Sequence, residues 1–303
     1  MSSSCRSLIG ALCLAALPAL AADPPATPPK ADDPARKILQ SVAAACRAGD
    51  VAKAQSFFAD DGSIRLSVNG MPDELFEGRS WIRVFWEIHS RGCTLEVGAS
   101  GPAGVKLTLA NERFHTVGAP QVTFHAQAAV RGDQLSELHL TLDPAQAHTI
   151  SRAIINNNRA VILRFGDRVN RKEDMTAIEE AVASEYVQHS IMPVAAGVQG
   201  LRDFYKKFRA AFPDLHYTYE DSRAEGDTVA VRMTVRMTHR GEFMGVPATG
   251  NPVVVTKMDF WRLMSGKVVE HWDAVDRLGM MQQLGVVPRL SEWQASPGFE
   301  GFR

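Results

Sequence analysis

Residues 253–273 constrain this chain more than any other stretch. An alternating run, a Ser265-Gly266 turn and a second run ending Glu270-His271-Trp272-Asp273 read as one β-hairpin. Side chains two apart on a strand share a face. Val255, Lys257, Asp259 and Trp261 therefore lie together on the first strand, and Val269, His271 and Asp273 on the second. A lysine, two carboxylates and an imidazole beside Val and Trp are costly to bury unless paired, and they are groups that a pocket for acid/base chemistry needs.

The hairpin closes a pattern that the chain writes twice. Gly78-Arg79-Ser80-Trp81-Ile82-Arg83-Val84-Phe85-Trp86 aligns without a gap on Gly197-Val198-Gln199-Gly200-Leu201-Arg202-Asp203-Phe204-Tyr205, matching Gly, an aliphatic residue, Arg, Phe and a second aromatic. Each copy follows a helical region and a short strand and precedes several long alternating segments, so duplication explains the order. In the first copy the patterns predict helices at 38–48, at 51–58 with Asp50 as N-cap, and at 79–90. Strands follow near 94–99, 105–114, 122–130 and 135–142, and Pro144 closes the module. In the second, helices at 149–165, up to 182 and from 200 to Pro213 precede strands at 216–225, 228–238, 253–263 and 267–272, with a closing helix at 274–284. Helices first and a curved antiparallel sheet afterwards give an α+β class: two tandem cone-shaped domains at 36–148 and 149–289, with a tail at 290–303.

The 303 residues, 45% of them hydrophobic, suffice for two ordinary cores. A formal net charge of -1 without a long basic run argues against a nucleic-acid surface. Arg6, an apolar stretch at 8–20 and Ala19-Leu20-Ala21 read as a signal peptide over 1–21, and a Pro- and Ala-rich leader fills 22–35, which predicts a periplasmic or secreted product. No later segment approaches the roughly 18 consecutive apolar residues of a membrane span. Beyond the signal only Cys46 and Cys93 remain. An oxidising compartment permits a bond between them, and two separate buried thiols satisfy the sequence equally.

The second half resembles the SnoaL-like polyketide (ester) cyclase domains of the nuclear transport factor 2-like superfamily. The resemblance rests on Glu185-Tyr186-Val187-Gln188-His189, Phe212-Pro213-Asp214, Glu225-Gly226-Asp227, the run from Thr238-His239-Arg240-Gly241-Glu242-Phe243 to Gly250, and Glu270-His271-Trp272-Asp273. The first half resembles the superfamily only in outline, as a degenerate copy without the Thr-His-x-Gly-Glu-Phe loop. The resemblance implies an intramolecular aldol closure without metal or organic cofactor, in which an aspartate at the end of the last strand, here Asp273, is the acid/base. Two pocket positions that are Gln and His in those cyclases are Lys257 and Asp259 here. Because such domains commonly pair through their sheets, the two halves are expected to form an internal pseudo-dimer.

The candidate residues each have a plainer reading. Asp273 precedes an apolar helical pattern and would serve as an N-cap; as a base it needs an apolar wall, from Trp261, Val269 and Val255, to raise its pKa. Lys257 and Asp259 form either a solvated pair or an oriented donor for a developing enolate oxygen. His189 and His239 are placed at the pocket rim, His189 as a second group to polarise oxygen, and His271 is either a pocket group or a core imidazole. Tyr186, Phe204 and Phe208 pack the helix on the sheet and, with Trp261, His239 and His271, line a small-molecule site. The spacing of His271, Asp273, Asp259 and His189 matches no metal motif. In the first half, aligning Gly132 with Gly266 brings His139 to the Asp273 position between two leucines. Two functions follow: cofactor-free cyclisation, isomerisation or hydration of a carbonyl compound, or a non-catalytic ligand-binding or assembly module.

Overall fold

The computed structural model describes residues 34–171, 174–190, 192 and 194–288. The expected signal peptide, nearly all of the leader and the tail lie outside them. In chain order the first half comprises α1 (Pro34–Ala48), α2 (Val51–Ser56), β1 (Phe58–Ser67), β2 (Glu74–Glu77), α3 (Gly78–His89), β3 (Thr94–Gly101), β4 (Gly104–Ala110), α4 (Glu112–Thr116), β5 (Val122–Arg131) and β6 (Gln134–Leu142). There follow α5 (Pro144–Arg171), α6 (Thr176–Ala181), β7 (Val182–Gln188), α7 (Gly197–Ala211), β8 (His216–Glu225), β9 (Thr228–Thr238), β10 (Pro252–Met264), β11 (Lys267–Val275) and α8 (Arg277–Leu284). The mixed α+β class is as expected: a six-stranded sheet, β2-β1-β6-β5-β4-β3, and a five-stranded sheet, β7-β11-β10-β9-β8. Each is antiparallel except for one parallel contact, β1 with β6 and β7 with β11.

Local chemistry explains the recurring elements. The repeated motif begins with Gly because Gly78 and Gly197, the first residues of α3 and α7, take φ of 79° and 77°, the left-handed region that favours glycine. Asp50 caps α2, accepting from the Lys53 amide at 2.8 Å. The amphipathic faces of α1 and α3 bury Leu39, Val42, Ile82, Phe85 and Trp86 against the first sheet. Cys46 and Cys93 are joined by a disulfide that ties α1 to the start of β3, so of the two readings the bonded one holds.

Four expectations need correction. Pro144 does not close a module; it is the first residue of α5, where the missing amide costs nothing. The 28-residue helix continues through residue 148 and serves both interiors: Ala147, Ile150 and Ile154 belong to the first core, Ile162, Phe165 and Val169 to the second. The run 105–114 is not one strand, because Asn111 accepts from the Phe114 amide at 2.9 Å and caps α4. Nor do the halves pair through their sheet faces, for Val254, Met258, Phe260 and Trp272 on the outer face of the second sheet are exposed. The halves meet instead along α5, at the β10–β11 turn, and where Ala183, Met264 and Val269 join the first core.

Candidate functional site

The β10–β11 hairpin turns on Ser265 and Gly266, with φ of 49° and 76°, the pair of left-handed residues that a tight two-residue connection requires. Its register sets Trp261 opposite His271, Asp259 opposite Asp273 and Lys257 opposite Val275. Trp261, Asp259, His271 and Val255 are buried on the inner face, while Val254, Thr256, Met258 and Phe260 face solvent. The predicted parity thus holds for the ionisable groups. It fails at Val269, which is the extra residue of a bulge: Arg262 pairs Glu270 and Leu263 pairs Val268. Val269 packs into the first core and is no wall of the site.

Two carboxylates directly opposite each other repel, so each needs a counter-charge. Lys257 Nζ lies 3.0 Å from Asp259 Oδ1 and donates to Oδ2 at 3.2 Å, with both side chains shielded from water. Burial works against both charged forms, yet the attraction outweighs it: the Asp259 carboxyl is held below its ordinary pKa, and the Lys257 ammonium, which also feels Asp273, above its own. Asp273 has a weaker counter-charge, Arg277 Nη2 at 3.6 Å. Its Oδ1 is buried and accepts no hydrogen bond among the described residues. Asp273 is not the N-cap of α8; that is Asp276, which accepts from the Gly279 amide at 2.9 Å.

His271 stacks on Trp261 with ring centres 3.6 Å apart. Its Nδ1 lies 2.9 Å from Gln188 Oε1, which also accepts from the Tyr186 hydroxyl. An oxygen accepting from both puts a proton on Nδ1, while Nε2 stands 3.1 Å from Asp259 Oδ1 without hydrogen-bond alignment. Turning the Gln188 amide over would give Nδ1 a donor and leave an Nε2 proton for Asp259, so the amide orientation and the imidazole proton are linked. Burial holds the His271 pKa below the ordinary value against the pull of Asp259.

Beside this cluster lies a cavity of about 80 Å³, several times the roughly 10–15 Å³ that one water needs. Leu201, Phe204, Phe208, Val235, Met237 and Phe243 supply apolar wall, and Lys257, Trp261, His271, Asp273 and Arg277 form the polar end. Phe204, Phe208 and Trp261 therefore sit as expected. Tyr186 is buried behind the wall and reaches the site through Gln188.

Two histidines do not reach it. His189 is on the outside of the sheet, its Nε2 2.7 Å from Glu270 Oε2 and its ring stacked on Trp272. His239 is fully buried and accepts the Thr249 amide on Nδ1 at 3.3 Å, anchoring the loop after β9. Sequence reasoning missed Gln188, Tyr205, Tyr217 and Arg277. Gln188 shares the parity of Tyr186, so the alternation used on the hairpin would have chosen it over His189. Tyr205 is one turn of α7 past Leu201, and burial pushes its pKa and that of Tyr217 well up, so both remain phenols.

A family model described as SnoaL-like polyketide cyclase matches residues 160–284, leaving the first half uncovered. No curated protein matches the chain. Among solved structures, AclR from Streptomyces galilaeus is similar at 33% identity over 44% of this chain and 99% of its own, with a TM-score of 0.40. IdmH from Streptomyces antibioticus is similar at 32% identity, over 43% and 99%, with a TM-score of 0.39. TsrD from Streptomyces laurentii follows at 27% identity, over 43% and 98%, with a TM-score of 0.40.

Proposed function

Residues 160–284 of this chain belong to the SnoaL-like polyketide cyclase family, and from that membership and the geometry of the cavity we propose that the second half binds a small, largely apolar carbonyl compound and performs cofactor-free acid/base chemistry on it. Asp273 removes a proton next to the carbonyl. The Lys257 ammonium, held protonated and in place by Asp259, donates to the oxygen on which negative charge develops. Aldol cyclisation and isomerisation share this first step; in a hydration the same carboxylate takes its proton from the attacking water, and Lys257 again meets the oxygen that becomes negative. His271, held by Gln188, packs beside Asp259 from the far side, and Arg277 tempers the charge of Asp273.

The observation that carries the reading is the uncommitted Asp273 carboxylate: Oδ1 is buried against an apolar cavity and accepts no hydrogen bond among the described residues. A base needs such a free lone pair, whereas Asp259 spends its charge on Lys257. The rival, a passive ligand-binding module, is favoured by the Arg277 contact, which would make Asp273 one half of an ion pair. We further propose that the protein works outside the cytoplasm, which the Cys46–Cys93 bond supports.

Mass spectrometry of small molecules that co-purify with the chain supplies the ligand class. Asp273→Asn should then retain binding and lose turnover by about 100-fold or more, the usual worth of a positioned base. Normal turnover by a folded Asp273→Asn variant would sink the catalytic reading and leave the binding module.

A further inference from the structure

The tip of the β10–β11 hairpin is held by the other half of the molecule. Ser265 donates its backbone amide to Glu74 Oε1 at 2.7 Å and its hydroxyl to Glu74 Oε2 at 2.5 Å. With that hydroxyl proton committed, His89, whose Nε2 is 3.1 Å from Ser265 Oγ, must be the donor there, which leaves its Nδ1 to accept from Asn111 Nδ2 at 3.1 Å. Glu74, His89, Asn111 and Ser265 are all buried, and Arg113 stands 3.8 Å from the Glu74 carboxylate. A second grip lies four residues on. Val269, the bulged residue, and Met264 insert into the first core.

The bulge is the one place where the hairpin has slack. β11 loses register against both neighbours there, against β10 between Val268 and Glu270 and against β7 over the same residues. A one-residue slip would turn His271 and Asp273 out to solvent and bring Trp272 and Ala274 inward. Trp261 and His271 are the second pair past the break, after Arg262 and Glu270.

We propose that the first half is a register clamp for the second, with Glu74 as a positioning residue that holds β11 so that His271 and Asp273 face the cavity. Its consequence for chemistry rests on the reading of Asp273 above; the clamp itself does not.

The test therefore reads structure and needs no substrate. In the full chain, Glu74→Ala should speed amide exchange at residues 271–275 by about tenfold or more while the paired ends of β8 and β9 remote from the tip, residues 216–219 and 233–236, keep their protection. The NMR titration midpoint of His271, which is surrounded by Lys257, Asp259 and Asp273, should rise toward the ordinary value near 6.5 as water reaches the ring. Ser265→Ala keeps the amide bond to Glu74 and loses only the hydroxyl, so it should fold and shift both readings the same way by less. If Glu74→Ala does not fold, Ser265→Ala decides alone. Exchange that rises equally at those remote ends and in β11, or an unchanged His271 midpoint, would overturn the clamp, whereas failure of Asp273→Asn to lose turnover would leave it untouched.

Discussion

On the central hairpin of the first half Leu138 and Leu140, paired with Ala128 and Ala126, line a void of about 20 Å³ together with Leu39, Phe85, Trp86, other apolar groups and one imidazole, His89. On that of the second half the facing pairs are Asp259–Asp273 and Trp261–His271, beside a cavity several times larger. Trp86 and Tyr205, which align in the repeated motif, put an indole beside the first void and a phenol beside the second cavity. The comparison teaches that one backbone plan tolerates either interior, provided that every charge brought inside has a partner. His139, expected at the position of Asp273, faces away from the first core and meets Ser67 Oγ at 2.8 Å, because Leu138, Leu140 and Leu142 take the inward parity.

The most severe way to break this contrast is Lys257→Met, which leaves the Asp259 charge buried beside His271 and should cost about 3–5 kcal/mol in denaturant unfolding. Adding Asp259→Leu should recover most of that loss, because the second interior then resembles the first; no recovery would mean that the pair is not the source of the cost. Removing the Cys46–Cys93 bond, which closes a loop with a sequence separation of 47, should cost about 2–4 kcal/mol, seen as a lower melting temperature under reductant that the double Cys→Ala variant no longer shows.

Acid sharpens the contrast more gently. Burial holds His89 in the first half and His271 in the second neutral below the ordinary His value. As pH falls through about 6.5 the unfolded chain takes up protons that the folded chain refuses. Stability must therefore fall on acidification, by up to about 1.4 kcal/mol per pH unit for each imidazole, until its folded pKa is reached. Asp259, whose pKa is likewise held down, here by Lys257, adds its loss only below about pH 4. Replacing His89 by Gln should flatten the slope between pH 6.5 and 5, to which His139 also contributes; an unchanged slope would assign it elsewhere. The smallest effect is expected from His189→Ala. An exposed pair with Glu270 is worth under about 1 kcal/mol, and ligand binding should not change, since the ring is on the outer face.

What the sequence disclosed followed from regular alternation. β8 and β9 begin and end where the pattern and the Gly226-Asp227 turn put them, and the inward set of Lys257, Asp259, Trp261, His271 and Asp273 came from pleat parity. The same rule misled at Val269, because a bulge adds a residue without any mark in composition. Carried into β7 it selects Gln188, on the Tyr186 face, and not His189, which lies past the strand's end. Arg277 was hidden because α8 starts after a longer β11 than the pattern predicts, and its approach to Asp273 depends on that turn. The Asn156-Asn157-Asn158 run is a weak helix former on propensity alone; in place, Asn158 reaches the Gly226 carbonyl at 3.5 Å and Arg159 reaches Ser222 Oγ at 2.8 Å, tertiary bonds that local preference cannot announce.

The 28 residues of α5, about 42 Å end to end at helical rise, leave no slack tether between the two copies. A protease seeking a scissile stretch would have to unwind a rod whose sides are embedded in both hydrophobic interiors. A change that loosens either half is accordingly felt by the other, because the same helix lends side chains to both cores.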